Sequence, residues 1–480
     1  MLKLFLWTRY LRKKRIVLLS IAAVALSVSL LIIVASLFSG FIDAFEQSAV
    51  ETIGDVVLSA PTKFAKYTVF IERLEKMHTV EAATATLSSQ GLLHLGKGNV
   101  RAVNVWGIEP ARRAKVTGFK QSLLRQKHLA GDLSFEIPGQ GDRLEAPDLS
   151  GTRPASGEPE LSGKDGLTDQ IGGFVGIGVL GEPDEKTDEY DIGAIEKMIG
   201  RSVVLTTGAV IEQKDSSSSE GSLRFRRKTV EFTIADIVFT GVYDLDKRFV
   251  YLPIAHLQSI LYPNESDQVA DQIQIKLRDP DRSGQAERAV AIIRGVWQAF
   301  AAEQLGWDQN LIRYTQIETA KRMQSRFVAE LHKQMGILLL IFGVVSFSVV
   351  VLIFCIFYMI VRLKRRDIAI MKSCGAASSS VACIFLGFGF CVGILGSGIG
   401  AVLGYVVTKN INAVEEWIRI IFGLKLWKSS VYMFSKIPNE VNWASALWIV
   451  LFAVAAAVIG SFIPTIIASI TKPVEILRYE

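Results

Sequence analysis

The sequence predicts a membrane protein with four transmembrane α-helices and a large α+β extracytoplasmic domain inserted between the first two. Three observations carry that prediction. Half of the 480 residues are hydrophobic and only 21% are charged, below the roughly 25% of an ordinary soluble chain. Four uncharged runs are each long enough to cross a bilayer core, which takes about 20 apolar residues. A long polar stretch separates the first run from the other three. The composition excludes a disordered chain and argues against a purely soluble enzyme.

The elements follow in order. Residues 1–15 are a basic N-terminus carrying Lys3, Arg9, Arg12, Lys13, Lys14 and Arg15. The first span covers 16–42. Its basic start is signal-like, but the apolar run exceeds the roughly 7–15 residues of a cleaved signal, so it reads as an uncleaved anchor. Residues 43–334 form the domain outside. The second span is 335–361, and a cytoplasmic loop at 362–380 holds Arg362, Lys364, Arg365, Arg366 and Lys372. The third span is 381–408, an outside loop is 409–440, the fourth span is 441–471, and the tail 472–480 carries Lys472 and Arg478. Basic residues concentrate in short cytoplasmic flanks, which places both termini and the 362–380 loop inside. With 53 Lys and Arg against 47 Asp and Glu, the excess charge faces anionic lipid; no nucleic-acid partner is expected.

Within 43–334, strands are expected at 54–60, 100–108, 230–242, 249–252 and 272–277. Helices are expected at 69–77, 116–129, 254–261 and 282–305. Residues 130–170 shift to Gly, Pro, Ser and Asp, which predicts a mobile insert outside the core. Strand and short-helix signals return over 171–210, and Ser216 to Gly221 reads as a polar hairpin tip. Strands and helices mix without a βαβ rhythm, hence an α+β domain. Residues 315–361 contain no Pro, so one helix of ~70 Å could run from the domain into the second span; the alternative is a hinge near 333–336. All four cysteines, Cys355, Cys374, Cys383 and Cys391, lie outside this domain, so no disulfide framework holds it.

Two glycine motifs resemble nucleotide sites and fail on chemistry. Gly91-Leu-Leu-His-Leu-Gly96-Lys97-Gly98 lacks the final Ser or Thr of a P-loop, and Gly176-x-Gly178-x-x-Gly181 is followed by Glu182-Pro183 where a helix should start. The five histidines are scattered, and no Cys/His pair has zinc spacing, so neither a catalytic set nor a metal site is expected. No span contains Asp, Glu, Lys or Arg. Ion-coupled transporters use such groups as relays, so the energy for any transport would come from another subunit.

Two segments carry a positive signal. In the loop, Ile368, Ile370 and Met371 give a basic segment a small apolar face, and Gly375 is placed to end a short helix. Such a helix suits docking into a groove of another protein; it equally suits an interfacial helix with a positive-inside cluster. In the third span, Gly389, Gly393, Gly396, Gly400 and Gly404 leave smooth faces for close helix packing, either within the chain or at a dimer seam.

Several motifs resemble a known family. Arg366-Asp-Ile-Ala-Ile-Met-Lys-Ser-Cys-Gly-Ala376 and Ile384-Phe-Leu-Gly-Phe-Gly, followed by the glycine-rich span, resemble the FtsX-like permease domain. Val431-Tyr-Met-Phe-Ser-Lys-Ile-Pro-Asn-Glu-Val441, Ile463-Pro464 and Pro473-Val-Glu-Ile-Leu-Arg-Tyr-Glu480 are similar to the end of LolC/LolE-type lipoprotein-releasing permeases. So are Ile237-Val-Phe-Thr-Gly-Val-Tyr-Asp-Leu-Asp246, Phe249-Val-Tyr-Leu-Pro253 and Ser39-Gly40-Phe41. The chain departs from the pattern at Ser39, where the family has Asn, in the 130–170 insert, and after Pro464, where the family's basic pair is missing.

The resemblance implies a MacB-like domain outside, and a non-catalytic permease subunit in the bacterial inner membrane, with both termini cytoplasmic. A dimeric cytoplasmic ABC ATPase would bind ATP and Mg, so this chain would hold no cofactor. Residues Arg366, Asp367, Ile368, Ile370, Met371, Lys372 and Gly375 would form the coupling helix. A second permease copy or paralogue would complete the complex, acylated lipoprotein would be the cargo, and a periplasmic carrier would receive it. Each buried CH₂ anchors an acyl chain by about 0.8 kcal/mol, so extraction needs coupled hydrolysis. An apolar cavity between spans one and two of the two permeases would hold the chains, with Phe38, Phe41, Phe347 and Phe354 as lining candidates beside membrane lipid. The alternatives are an FtsX-like mechanotransmitter that activates a cell-wall hydrolase and a MacB-like efflux permease.

Overall fold

In lipid a backbone must satisfy its own hydrogen bonds, so long uncharged runs rich in Leu, Ile and Val become helices. The computed structural model describes residues 15–470, except 97, 130, 138–170, 185–186, 214–221, 264, 281–283, 424 and 435. The N-terminal flank 1–14, the tail, most of the insert and the 216–221 hairpin tip lie outside the described residues. Among the described residues, four helices are long and apolar enough to cross a membrane: Arg15–Ile53, Ala320–Leu363, Ser378–Lys409 and Trp443–Ile470, here spans one to four. Span one stays helical beyond residue 42. Span two is a single 44-residue helix without a break at 333–336.

The chain divides into two units. The first gathers the spans around one apolar cluster. Val24, Val28 and Ile32 of span one recur every four residues and so share a face. They join Ile353, Ile356 and Phe357 of span two, Phe388 and Val392 of span three, and Ala457 of span four.

The second unit comprises Glu46–Ser325 together with Lys425–Ser435. Its frame is a nine-stranded mixed sheet: β1 Val56–Ala65, β2 Val80–His94, β3 Val100–Ile108, β4 Gly172–Gly176, β5 Ser202–Gln213, β6 Ser222–Val238, β7 Phe249–Pro253, β8 Val269–Leu277 and β9 Gln316–Thr319. The order is β3-β7-β4-β6-β5-β2-β8-β1-β9. The pairs β3–β7 and β4–β6 are parallel and the others antiparallel. Helices Tyr67–Glu75 and Gln285–Gln304 contribute to its core, where Trp297 meets Phe64 and Phe70 edge-on at 5.0 and 5.2 Å. A smaller cluster surrounds Arg113, whose guanidinium lies 4.9 Å from the Trp106 ring, 5.2 Å from Phe119 and 5.6 Å from Tyr251. It donates to Gln274 Oε1 and the Thr52 carbonyl, both at 3.0 Å. Burial pulls its pKa down to about 10.

Several sequence expectations change here. β2 was not foreseen, because its Ala, Thr and Ser residues have modest strand propensity. It is a central strand, and Ala83, Thr84, Ala85 and Thr86 are all buried, so no alternation betrays it. The helix expected at 116–129 is absent: a helix ends at Val116, and only two 3₁₀ turns follow, Phe119–Ser122 and Gln126–His128. The buried Asp236 carboxylate accepts from the Arg125 and Gln126 amides at 3.1 and 2.8 Å, fixing this segment to β6. The beginning of the insert is core, with Leu133 buried and Phe135 stacked on Phe174 at 4.4 Å. Finally, Lys425–Ser435 is not a free loop but part of the sheet unit.

The glycine motifs serve packing. Gly91 lies within β2, and Gly96 and Gly98 take positive φ in the turn to β3, so a strand follows where a P-loop needs a helix. Gly176 ends β4 and one helical turn, Ile177–Leu180, comes next. A Cβ on Gly176 would collide with the Asp246 carbonyl oxygen.

Candidate functional site

Three places concentrate the residues singled out by sequence. The first is the loop after span two. Its helix is Arg365–Ser373, entered through Lys364, whose ammonium pairs with Asp367. Gly375 takes φ 95°, and the Gly375 and Ala376 amides donate back to Lys372 and Met371 at 3.0 and 3.1 Å, closing the helix. Most of its apolar face turns inward onto the spans, not outward toward a partner's groove. Ile368 and Ala369 are fully buried, and Met371 packs against the span cluster. Lys372 Nζ donates to the Ser469 carbonyl at 2.6 Å. The surface left outward presents Arg365, Arg366 and Ile370. Helical spacing alone defines a stripe but not which way it faces.

The second place is an apolar cavity of about 490 Å³ within the first unit. Val24, Ser27, Val28 and Leu31 of span one line one side, with Gly343, Ser346, Phe347 and Val350 of span two and Phe452, Ala456 and Ile459 of span four. Among the described residues, no charged side chain lines it. Its polar feature is the Ser27–Ser346 pair, whose hydroxyl oxygens are 2.9 Å apart. Phe347 is in the lining; Phe38, Phe41 and Phe354 lie elsewhere on the same spans, Phe354 stacked on Tyr358. The sequence reading missed both serines, which no local pattern sets apart. Span two is sparsely covered by its own chain, with Ile337, Leu340, Val344 and Phe347 exposed.

The glycines of span three explain how the spans close. A Cβ on Gly389 would collide with the Ser461 hydroxyl oxygen, and one on Gly393 would meet the Ala457 Cβ at 3.0 Å, both on span four. Added to Gly396, Gly400 or Gly404 it would meet Val24, the Ala25 carbonyl or Ile32 of span one at 2.7, 2.6 and 3.1 Å. Two glycine faces therefore serve two neighbours of the same chain.

The third place joins two motifs far apart in sequence. Val242 bridges Phe434, and the Tyr243 amide donates to the Met433 carbonyl at 2.8 Å. Lys425 Nζ donates to the Thr187 carbonyl and Asp188 accepts from the Ser429 amide, both at 2.6 Å. Residues 425–434 are thus seated on 187–188 and 242–243. Beneath them Asp246 is buried, accepting from the Thr240 amide and hydroxyl at 2.7 and 2.8 Å and the Gly241 amide at 3.0 Å.

Burial pushes the Asp246 carboxyl up to about 7, although these hydrogen bonds pull it down. Because the folded pKa is raised, the fold keeps a proton that the unfolded chain has lost. That contribution is complete below about pH 4 and is lost as pH rises through about 7, at no more than about 1.4 kcal/mol per pH unit. Burial raises Asp236 and Asp271 too, with the same sign. The thermal midpoint of the purified protein should therefore fall from about pH 5 to about pH 8, and Asp246→Asn should flatten the slope. An unchanged slope in that variant would show that Asp246 does not cause the pH dependence.

Four apolar spans, a mixed-sheet unit inserted in the chain between the first two, and a charge-free cavity among the spans have the architecture of a membrane-embedded protein. Residues 339–473 match the FtsX-like permease C-terminal family. The chain is 25% identical to the lipoprotein-releasing system transmembrane protein LolC of Neisseria meningitidis serogroup B, over 100% of its own length and 99% of that protein. It is 26% identical to the corresponding LolE of Haemophilus influenzae, over 54% of this chain and 58% of that one. Likeness to the crystallised periplasmic region of MacB from Actinobacillus actinomycetemcomitans is weak, with 12% identity and a TM-score of 0.29. The FtsX-like match thus falls on the C-terminal part of the chain, while the similarity to LolC extends over its whole length.

Proposed function

We propose that this chain is the permease subunit of an ATP-driven complex that extracts lipoproteins from the bacterial inner membrane. The observation that carries the reading is the end-to-end similarity to a lipoprotein-releasing permease. The charge-free cavity along spans one, two and four supports it, since acyl chains leave bilayer only for a comparably apolar surface. A cytoplasmic ATPase binds ATP and Mg, and this chain is non-catalytic. Helix Arg365–Ser373 is the coupling element, touching the ATPase through Ile370, Arg365 and Arg366. Both termini are cytoplasmic and the sheet unit is periplasmic, where it passes cargo to a carrier. A second permease, identical or paralogous, closes the cavity along the exposed face of span two.

Depleting the chain in its own host tests the reading. Triacylated lipoproteins should accumulate in the inner membrane while soluble periplasmic proteins keep their distribution. Normal lipoprotein sorting with a cell-separation defect would move the chain to the mechanotransmitting class.

A further inference from the structure

The connection between spans three and four contains a second amphipathic helix, Ile411–Phe422, that the proposed function does not use. It has the polarity of a soluble helix turned inside out. Its polar side is engaged: Asn412 Nδ2 donates to the Ile437 carbonyl and the Ile437 amide returns to Asn412 Oδ1, both at 3.0 Å, while Arg419 pairs with Glu416. Its apolar side is open, with Trp417 63%, Ile420 72% and Phe422 67% exposed and Ile421 beside them. Water would oppose this arrangement, since each such side chain favours an apolar surround.

Position limits what can cover that side. Asn410 is both the last cap of span three and the first cap of this helix, so no linker separates them. The helix therefore begins where a bilayer-crossing helix ends, and its apolar side continues a surface already committed to lipid. Gly423 ends it in the left-handed region with φ 65°, its amide donating to the Arg419 carbonyl at 2.8 Å. We infer that Ile411–Phe422 lies in the lipid–water interface, with Trp417, Ile420, Ile421 and Phe422 at the headgroup–acyl boundary and Glu416 and Arg419 toward water. Tryptophan favours that depth, and a helix in this plane anchors the span joined to it.

The test uses the full chain with Cys355, Cys374, Cys383 and Cys391 replaced by Ser. A single fluorophore is placed through Ile421→Cys, or through Glu416→Cys, which at five residues' spacing lies toward the other side of the helix. Each protein is reconstituted into vesicles of phosphatidylethanolamine with a minority of phosphatidylglycerol. The label on Ile421→Cys should emit to the blue of the label on Glu416→Cys. It should be quenched by lipids brominated near the headgroup and resist aqueous iodide, with the reverse pattern on Glu416→Cys. Water-like emission and iodide quenching at position 421 would overturn the inference. So would a label there shielded from both quenchers, because protein would then cover this side.

Discussion

Replacing Gly400 with leucine should push span one away from span three and destabilise the membrane unit. The added Cβ would sit 2.6 Å from the Ala25 carbonyl oxygen and 2.9 Å from the Val28 Cβ. The nearer atom is backbone, so no rotamer change relieves the clash. Overpacking of a close core costs about 1–3 kcal/mol, and here two helices must move apart before the side chain fits. The detergent-solubilised variant should melt several degrees lower, at about 2–4 °C per kcal/mol, or aggregate. Gly398 is the matched control: it lies on the same helix, and a Cβ added there would have no neighbour within 4 Å. Gly398→Leu should melt like the parent. Equal melting of both leucine variants would place the glycine stripe outside the packing seam.

The largest functional effect is expected at Ile370. This side chain is 47% exposed among Arg365 and Arg366, whereas Ile368, two residues earlier, is fully buried against the spans. Under the proposed function Ile370→Asp should leave insertion and melting intact but abolish stimulation of the partner ATPase. Ile368→Asp would fail differently: an unpaired charge inside an apolar cluster costs several kcal/mol, so folded yield itself should drop. Coupled turnover with Ile370→Asp in a well-folded complex would refute the assignment of this helix. Measuring ATPase stimulation beside thermal stability separates the two cases.

These residues also mark how far sequence could be read. The four spans were legible because lipid admits few charges, and long uncharged runs have little other use. Their ends were less so, since span one continues to Ile53 through Asp43 and Glu46, which hydropathy treats as loop. The spacing of Gly389 to Gly404 announced close packing, but nothing local could say that two glycines face span four and three face span one. Ile368 marks the same limit, because periodicity gives a stripe without its direction. β2 escaped because buried Ala and Thr carry no alternation. The joining of 242–243 to 433–434 is a long-range contact without a local signature, although both segments carried the family resemblance.

Extraction of lipoproteins with energy borrowed from a bound ATPase leaves a biochemical trace. The decisive experiment is to purify the chain from native membranes in mild detergent and identify by mass spectrometry what accompanies it, before and after ATP is added. An ABC ATPase should copurify together with triacylated lipoproteins, and the lipoproteins should leave when ATP is hydrolysed. An ATPase accompanied by a cell-wall hydrolase, with no lipoprotein bound or released, would refute extraction as the function of this chain.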